Sequence, residues 1–289
     1  MRAAGHDVHV ETLAPEIPFP FPWPIVEFFD AFPECVQLDA PPLRALEVAA
    51  DTTFDLVILT YQVWYLSPAL PMTAFLKSEE GRKLIDGKPV ITLVACRNMW
   101  LSAQETMKQL IAGAGGRLID HLAFTDQGHP LATFITTPRW VWTGKKNSFL
   151  GLPPAGVSPE EIRQASRFGL ALADGLNNDR EKSGQPMLAG LRAVTVNVRL
   201  AVSERAGRRA FGVWSKLVRL FGKRGQWRRR PVLLLFVVYL ITLIVTVVPI
   251  SLLLQWLFSP LLKPRLERLK AELEQPSGSQ EFNLQKYAP

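Results

Sequence analysis

The chain has only two cysteines, Cys35 and Cys96, among 289 residues. That is too few for a disulfide framework, so the composition suits a reducing compartment. The opening MRAAGHDVHV has no apolar core, and a cleavable leader is not expected there. The four histidines, His6, His9, His121 and His129, show no metal-site spacing. There is no Gly-x-Ser-x-Gly elbow, no Cys-x-x-Cys and no internal repeat. The glycine run at 113–116 lies between a helix and a strand. That is the wrong order for a dinucleotide fingerprint, and it reads as a helix stop.

Acidic residues are scarce in one place. Residues 190–230 hold twelve Arg and Lys against a single acid, Glu204, so this stretch carries +11. The whole chain carries +7, which leaves the remainder at −4. A mildly acidic body with one local basic patch argues against a nucleic-acid partner. The patch abuts an apolar run and suits anionic lipid headgroups.

That run, residues 231–258, contains no formal charge. As a helix it would be about 42 Å long, against a hydrocarbon core of about 30 Å. The spacing predicts one transmembrane helix, with Pro231 in its first turn, a kink at Pro249, and Trp227 and Trp256 as interfacial anchors. A re-entrant hairpin turning at Val248-Pro249 and a buried core helix are the alternatives. Cations dominate the N-terminal flank, which places the large N-terminal domain on the cytoplasmic face of a single-pass membrane protein. Residues 208–226 mix Phe211, Trp214, Leu217 and Phe221 with cations and predict an amphipathic helix along the membrane surface, with a helix packed on the soluble domain as the alternative.

The domains expected are 1–180, an α/β domain; 181–230, a basic juxtamembrane segment; 231–258, the membrane helix; and 259–289, a polar tail. Within the first, residues 8–13 predict a short strand. Residues 15–34 are rich in Pro and Phe and predict irregular chain at first. Residues 41–50 predict a helix. Buried strands are expected at 54–61 and 88–95, and another strand at 117–125. Helices are expected over 68–78, from a Ser102/Glu105 capping box to Gly113, and from Ser158-Pro159 to Gly175. Residues 128–154 read as an insertion. Strands alternating with helices imply a parallel sheet with helices on both faces.

Two loops then stand out. One is Thr60-Tyr61-Gln62-Val63-Trp64-Tyr65, leading through Leu66-Ser67-Pro68 into a helix; the other is Cys96-Arg97-Asn98-Met99-Trp100. On these loops the chain resembles flavodoxin-fold, FMN-dependent NAD(P)H oxidoreductases, a three-layer α/β/α class. The resemblance implies that these eleven residues, Thr60 to Tyr65 and Cys96 to Trp100, hold the isoalloxazine ring. General physics agrees, since open α/β sheets bind ligands at their carboxyl edge. More narrowly, FPFPWP, FFDAFPE, YQVWYLSPALP and the C-terminal anchor are similar to membrane-tethered proteins of the dialkylresorcinol condensing enzyme family, over roughly residues 1–260. That resemblance implies oxidation of an apolar ring substrate, a quinone or a dialkylresorcinol or aryl-polyene precursor, beside a ketosynthase-type partner. A non-catalytic scaffold and a lipid-like ligand carrier are the alternatives. His129 is the one histidine placed for proton transfer; His121 and Cys96 read as packed side chains.

The family opens with a strand and a Ser/Thr/Gly-rich phosphate loop. Here MRAAGHDVHV reads as the last turn of the helix that should follow, with Gly5 as its cap. The expectation is therefore an N-terminally truncated chain, with the strand at 8–13 left without a neighbour and poor FMN affinity.

Overall fold

The computed structural model describes residues 1–126, 128–257 and 259–288. It is a mixed α/β body with a three-stranded parallel sheet, flanked by one apolar helix long enough to cross a membrane. Helices α1 (Ile25–Asp30) and α2 (Phe32–Gln37) precede β1 (Val57–Tyr61). A two-residue ladder, β2 (Val63–Trp64) with β3 (Ser67–Pro68), leads into α3 (Leu70–Lys77) and α4 (Glu79–Ile85). Then come β4 (Pro89–Cys96), α5 (Leu101–Gly113) and β5 (Arg117–Thr125).

The sheet order is β1-β4-β5, all parallel. The central strand β4 is a run of β-branched and aliphatic residues, the pattern of a strand covered on both faces. Along β5 the side chains alternate: His121 meets Trp100, just before α5, at 5.6 Å between ring centroids, whereas Phe124 meets Phe168 of a later helix at 5.8 Å. Three residues apart, and so of opposite parity, they serve opposite sides of the strand. The helix stop at 113–116 is where the sequence places it. Gly115 has φ +83°, its carbonyl accepts the Gly87 N–H, and a Cβ there would lie 1.9 Å from Asp86 Oδ1. Gly5 likewise closes a single helical turn, Arg2–Ala4, in the left-handed conformation.

Beyond the sheet lie α6 (Pro130–Thr143), α7 (Pro159–Gln164), α8 (Ser166–Asn177), α9 (Arg180–Ser183), α10 (Val198–Leu220), α11 (Arg230–Thr242), α12 (Val248–Leu257) and α13 (Ser259–Leu273). Ser158 caps α7 as its sequence predicts, its Oγ accepting the Glu161 N–H at 3.1 Å. The expected helix to Gly175 breaks at Ala165 into α7 and α8.

Several expectations are corrected. Residues 41–50 are not helical: Pro41 and Pro42 start the segment, and the Glu47 and Val48 N–H groups go to the Glu11 carboxylate at 3.1 and 3.0 Å. Residues 8–13 form no ladder with the sheet; they lie across a groove of about 730 Å³ from β1, whose outer edge pairs with no strand among the described residues. Residues 25–37, expected to be irregular in part, form α1 and α2, and the 128–154 insertion contains α6. At the expected Pro249 kink, a π-helical turn over Leu243–Val247 precedes the proline. Proline 249 has no N–H and crowds the carbonyl four residues back, and the wider turn absorbs both defects. The side chain of Trp256 lies outside the described residues.

The domain boundary at 180 also shifts. Met187, Leu188, Leu191, Val194 and Val196 are buried in the same core as β4 and β5. Asp120 of β5 holds them, accepting the Met187 and Leu188 N–H groups at 2.9 Å each. The polar tail packs there too: Ser277 Oγ donates to Asp120 at 2.7 Å, and Arg192 and Val194 N–H donate to the carbonyls of Gln280 and Gly278. The C-terminal segment therefore sits on the same body as the N-terminal domain, where a single-pass arrangement would put it on the far side of a bilayer.

Candidate functional site

Parallel strands end together, so the loops after β1, β4 and β5 share one edge of the sheet. A cavity of about 360 Å³ opens there, lined by Gln62, Val63, Trp64 and Tyr65 after β1, Ala95, Cys96 and Arg97 at the end of β4, and Asp126 after β5. Its volume falls within the range of small-molecule sites. Two covering elements complete it. The Pro/Phe segment contributes Phe21, Trp23 and Phe28, and α6 contributes Thr137, Trp140 and Val141. A backbone hydrogen bond from the Trp23 N–H to the Val141 carbonyl, 2.8 Å, ties these covers together.

The lining is aromatic and orthogonally packed. Trp64 meets Trp23 at 5.4 Å and Phe19 at 5.0 Å, both edge to face. Tyr65 packs on Phe28 and donates its hydroxyl to the Phe28 carbonyl at 2.5 Å. Three residues of the two loops, Tyr65, Leu66 and Met99, sit at φ between +53° and +60°. Such conformations are unfavourable for bulky L-residues and occur where surrounding packing fixes a loop.

Polar groups are few and mostly committed. Arg97 donates from Nε to Thr133 Oγ1 at 2.7 Å and lies 3.9 Å over the Phe134 ring. Burial pulls its guanidinium down to about 10. Asp126 accepts the Gly128 and Gly156 N–H groups at 2.8 and 2.6 Å, so its carboxylate pins the loop after β5 to the segment beyond α6. Thr137 Oγ1 is buried with no protein partner.

A smaller hollow of about 180 Å³ adjoins on the Arg97 and Asp126 side, lined also by Asn98, Met99, Trp100 and Glu204. Glu204 of α10 is 1% exposed. One carboxylate oxygen accepts the Ser102 N–H at 2.5 Å, and the other has no hydrogen-bond partner. Burial raises its pKa, against the hydrogen bonds from Ser102 and Leu101 and the charge of Arg208. The expected Ser102/Glu105 capping box is thus replaced. Ser102 lies within the first turn of α5, and a carboxylate from a distant helix satisfies its free N–H.

The sequence-predicted residues divide accordingly. Gln62, Val63, Trp64, Tyr65, Cys96 and Arg97 come together in the larger cavity, and Arg97, Asn98, Met99 and Trp100 line the smaller. Thr60 and Tyr61 face the groove beside β1. Tyr61 donates to Gln104 Oε1 at 2.7 Å, and burial, then the charges of Cys96 and Glu204, push its phenol upward. Trp100 is core. The Cys96 thiol is pushed up to about 12 by burial, then by Glu204. His129 is exposed and lines none of these hollows. His121 is buried with burial, then Lys108, depressing it to about 4. Sequence reasoning missed Asp126, Thr137 and Glu204. The last carried a signal, as the lone acid in a strongly basic stretch.

The arrangement is an apolar, aromatic slot with one guanidinium and one open hydroxyl. It can hold a flat ring bearing an oxygen or two. Compared with family models, with curated proteins and with solved structures, the chain finds no match.

Proposed function

We propose that this is a flavodoxin-like, membrane-associated protein that binds an apolar ring ligand, a quinone or a dialkylresorcinol or aryl-polyene precursor, in the slot at the carboxyl edge of its sheet. The observation that carries the reading is the convergence of Trp64, Tyr65 and Arg97 with Trp23, Phe28 and Trp140 around one cavity. Helices reaching His121 and Phe124 from opposite sides of β5, and the strand-wide groove between β1 and residues 9–13, are what a three-layer sheet with one position open would have. The basic flank sets the body at the cytoplasmic face, where apolar ligands dissolved in the bilayer are close at hand.

An FMN-dependent oxidoreductase using NAD(P)H, working beside a ketosynthase, is the second reading. The slot fits an isoalloxazine ring between aromatic walls. A phosphate is less well served: the α5 N-terminus, at the same edge of the sheet, already holds the Glu204 carboxylate. A second anion there meets a like charge. The ligand favoured is therefore neutral, and the chain's role is to bind and present it.

The test is a titration of the purified protein in detergent, read by tryptophan fluorescence, with a short-chain quinone, an alkylresorcinol, FMN and lumiflavin. The neutral rings should bind, and FMN should bind no tighter than lumiflavin, which lacks the phosphate. Trp64→Ala should weaken binding by roughly 5- to 150-fold, the value of one to three kcal/mol of stacking. Saturable binding of FMN well below the lumiflavin range would restore the flavoenzyme. No binding of any ring would remove the ligand reading.

A further inference from the structure

We propose that the apolar segment is an in-plane membrane anchor, embedded along one leaflet with both of its flanks on the same side of the bilayer. This inference stands apart from the ligand reading and rests on how the segment is fastened at its two ends.

At its start, Arg229 is fully buried and bonded to the carboxylates of Asp30 and Glu34, and Phe236 stacks on Phe32 with centroids 3.9 Å apart. The helix leaves the body from this clamp. At its end, Glu274 accepts the Val196 N–H at 3.1 Å, Ser277 bonds Asp120, and Tyr287, 8% exposed, donates to Asp174 at 2.5 Å. The chain has returned to the body it left.

A single crossing would separate these two attachments by a hydrocarbon core of about 30 Å. Two crossings would need α13 to be the returning span. Its 15 residues reach about 22 Å. They also include Lys263, Arg265, Glu267, Arg268 and Lys270, which the hydrocarbon does not admit together. A re-entrant hairpin would need the chain to reverse at 248–249, where the helix instead runs on from α11 through the π-helical turn into α12. An arrangement parallel to the surface satisfies both fastenings.

The local packing agrees. α10 runs beside α11, α12 and α13, with Trp214 against Phe236 and Tyr239. On the outward side Leu234, Val238, Ile241, Val245, Ile250 and Leu253 are each more than half exposed. Their spacing of three to five residues makes one apolar stripe, broadened by Leu235, Val247 and Leu257, which are also more than half exposed. Exposed cations at Lys216, Lys223, Arg228 and Arg230 border its start. A greasy stripe edged with positive charge is complementary to one leaflet containing anionic lipid.

The experiment uses the full chain in membranes of the expressing cells. Asp51→Cys marks the body and Gln285→Cys the tail; both positions are exposed. A membrane-impermeant maleimide should label both in the same vesicle orientation, inside-out or right-side-out. Labelling in opposite orientations overturns the proposal. A depth series follows, with probes on Ile241→Cys, Val245→Cys and Leu253→Cys and quenching by lipids brominated at different acyl positions. An in-plane helix gives one shallow depth for all three. A crossing helix spreads them over about 18 Å, and that spread, or the absence of the protein from the membrane fraction, also overturns it.

Discussion

Replacing Arg229 by methionine removes the cation buried at the join between body and apolar helix. In the structure its Nε lies 2.5 Å from Asp30 Oδ1, and its two terminal nitrogens lie 2.8 and 2.9 Å from the two oxygens of Glu34. It also donates to the Asp30 carbonyl. Asp30 keeps one other donor, the Gly225 N–H at 2.7 Å, and both acids are 8% exposed. Arg229→Met therefore leaves two nearly buried carboxylates facing each other. Loss of one partner from a buried pair costs about 3–5 kcal/mol. At about 2–4 °C per kcal/mol for a body of this size, the Tm should fall by roughly 6–20 °C. The triple variant Arg229→Met, Asp30→Asn, Glu34→Gln keeps the volume and removes the stranded charge, and it should recover a substantial part of the loss. Urea unfolding in detergent, followed by tryptophan fluorescence, measures both. Limited trypsin digestion localises the damage, because Lys223, Arg224 and Arg228 flank the join and should be cut sooner in the single variant. A single variant within 1 kcal/mol of the parent, with an unchanged digestion pattern, would refute the clamp.

Two further outcomes follow from buried ionisable groups. Burial raises the Glu204 pKa above its unfolded value of about 4.3, so the folded state holds the proton more tightly, and stability falls as pH climbs through the raised value. Glu204→Gln keeps an acceptor for the Ser102 N–H and should melt higher than the parent at pH 8, with the gap closing toward pH 4. Asp120, also raised by burial, leaves a residual slope in both proteins, and a gap that does not change with pH would count against the assignment. Burial likewise pushes the thiols of Cys35 and Cys96 upward, the latter to about 12, so neither should react with a thiol reagent at pH 8 until denaturant is added. Rapid labelling of the folded protein would show that one of them is open.

What was legible in the sequence was local. The strand at 117–125 is observed with those bounds because a largely apolar stretch sits between a glycine stop and a polar turn. Ser158 acts through Glu161, and the Gly115 N–H ends its helix on the Ala112 carbonyl, each within three residues, and the structure keeps both. The errors share the opposite property. Ser102 is capped from 102 residues away, Glu11 takes N–H groups 36 and 37 residues ahead, and Ser277 reaches Asp120 across 157 residues. No periodicity or capping pattern reports such partners. The candidate site was half legible for the same reason: the strand-end loops announce themselves, whereas α6 becomes a wall only through tertiary packing.

The stitching of the tail onto β5 has a consequence for the order of events during synthesis. Asp120 waits for Ser277, and Val194 and Val196 for Gly278 and Glu274, so this edge of the body can be sealed only when the chain as far as residue 278 has left the ribosome. The oily helix emerges before that seal is made. It must find its lipid while the domain is still ajar, and a nascent chain stopped short of residue 277 should be recognised by quality-control proteases as unfinished.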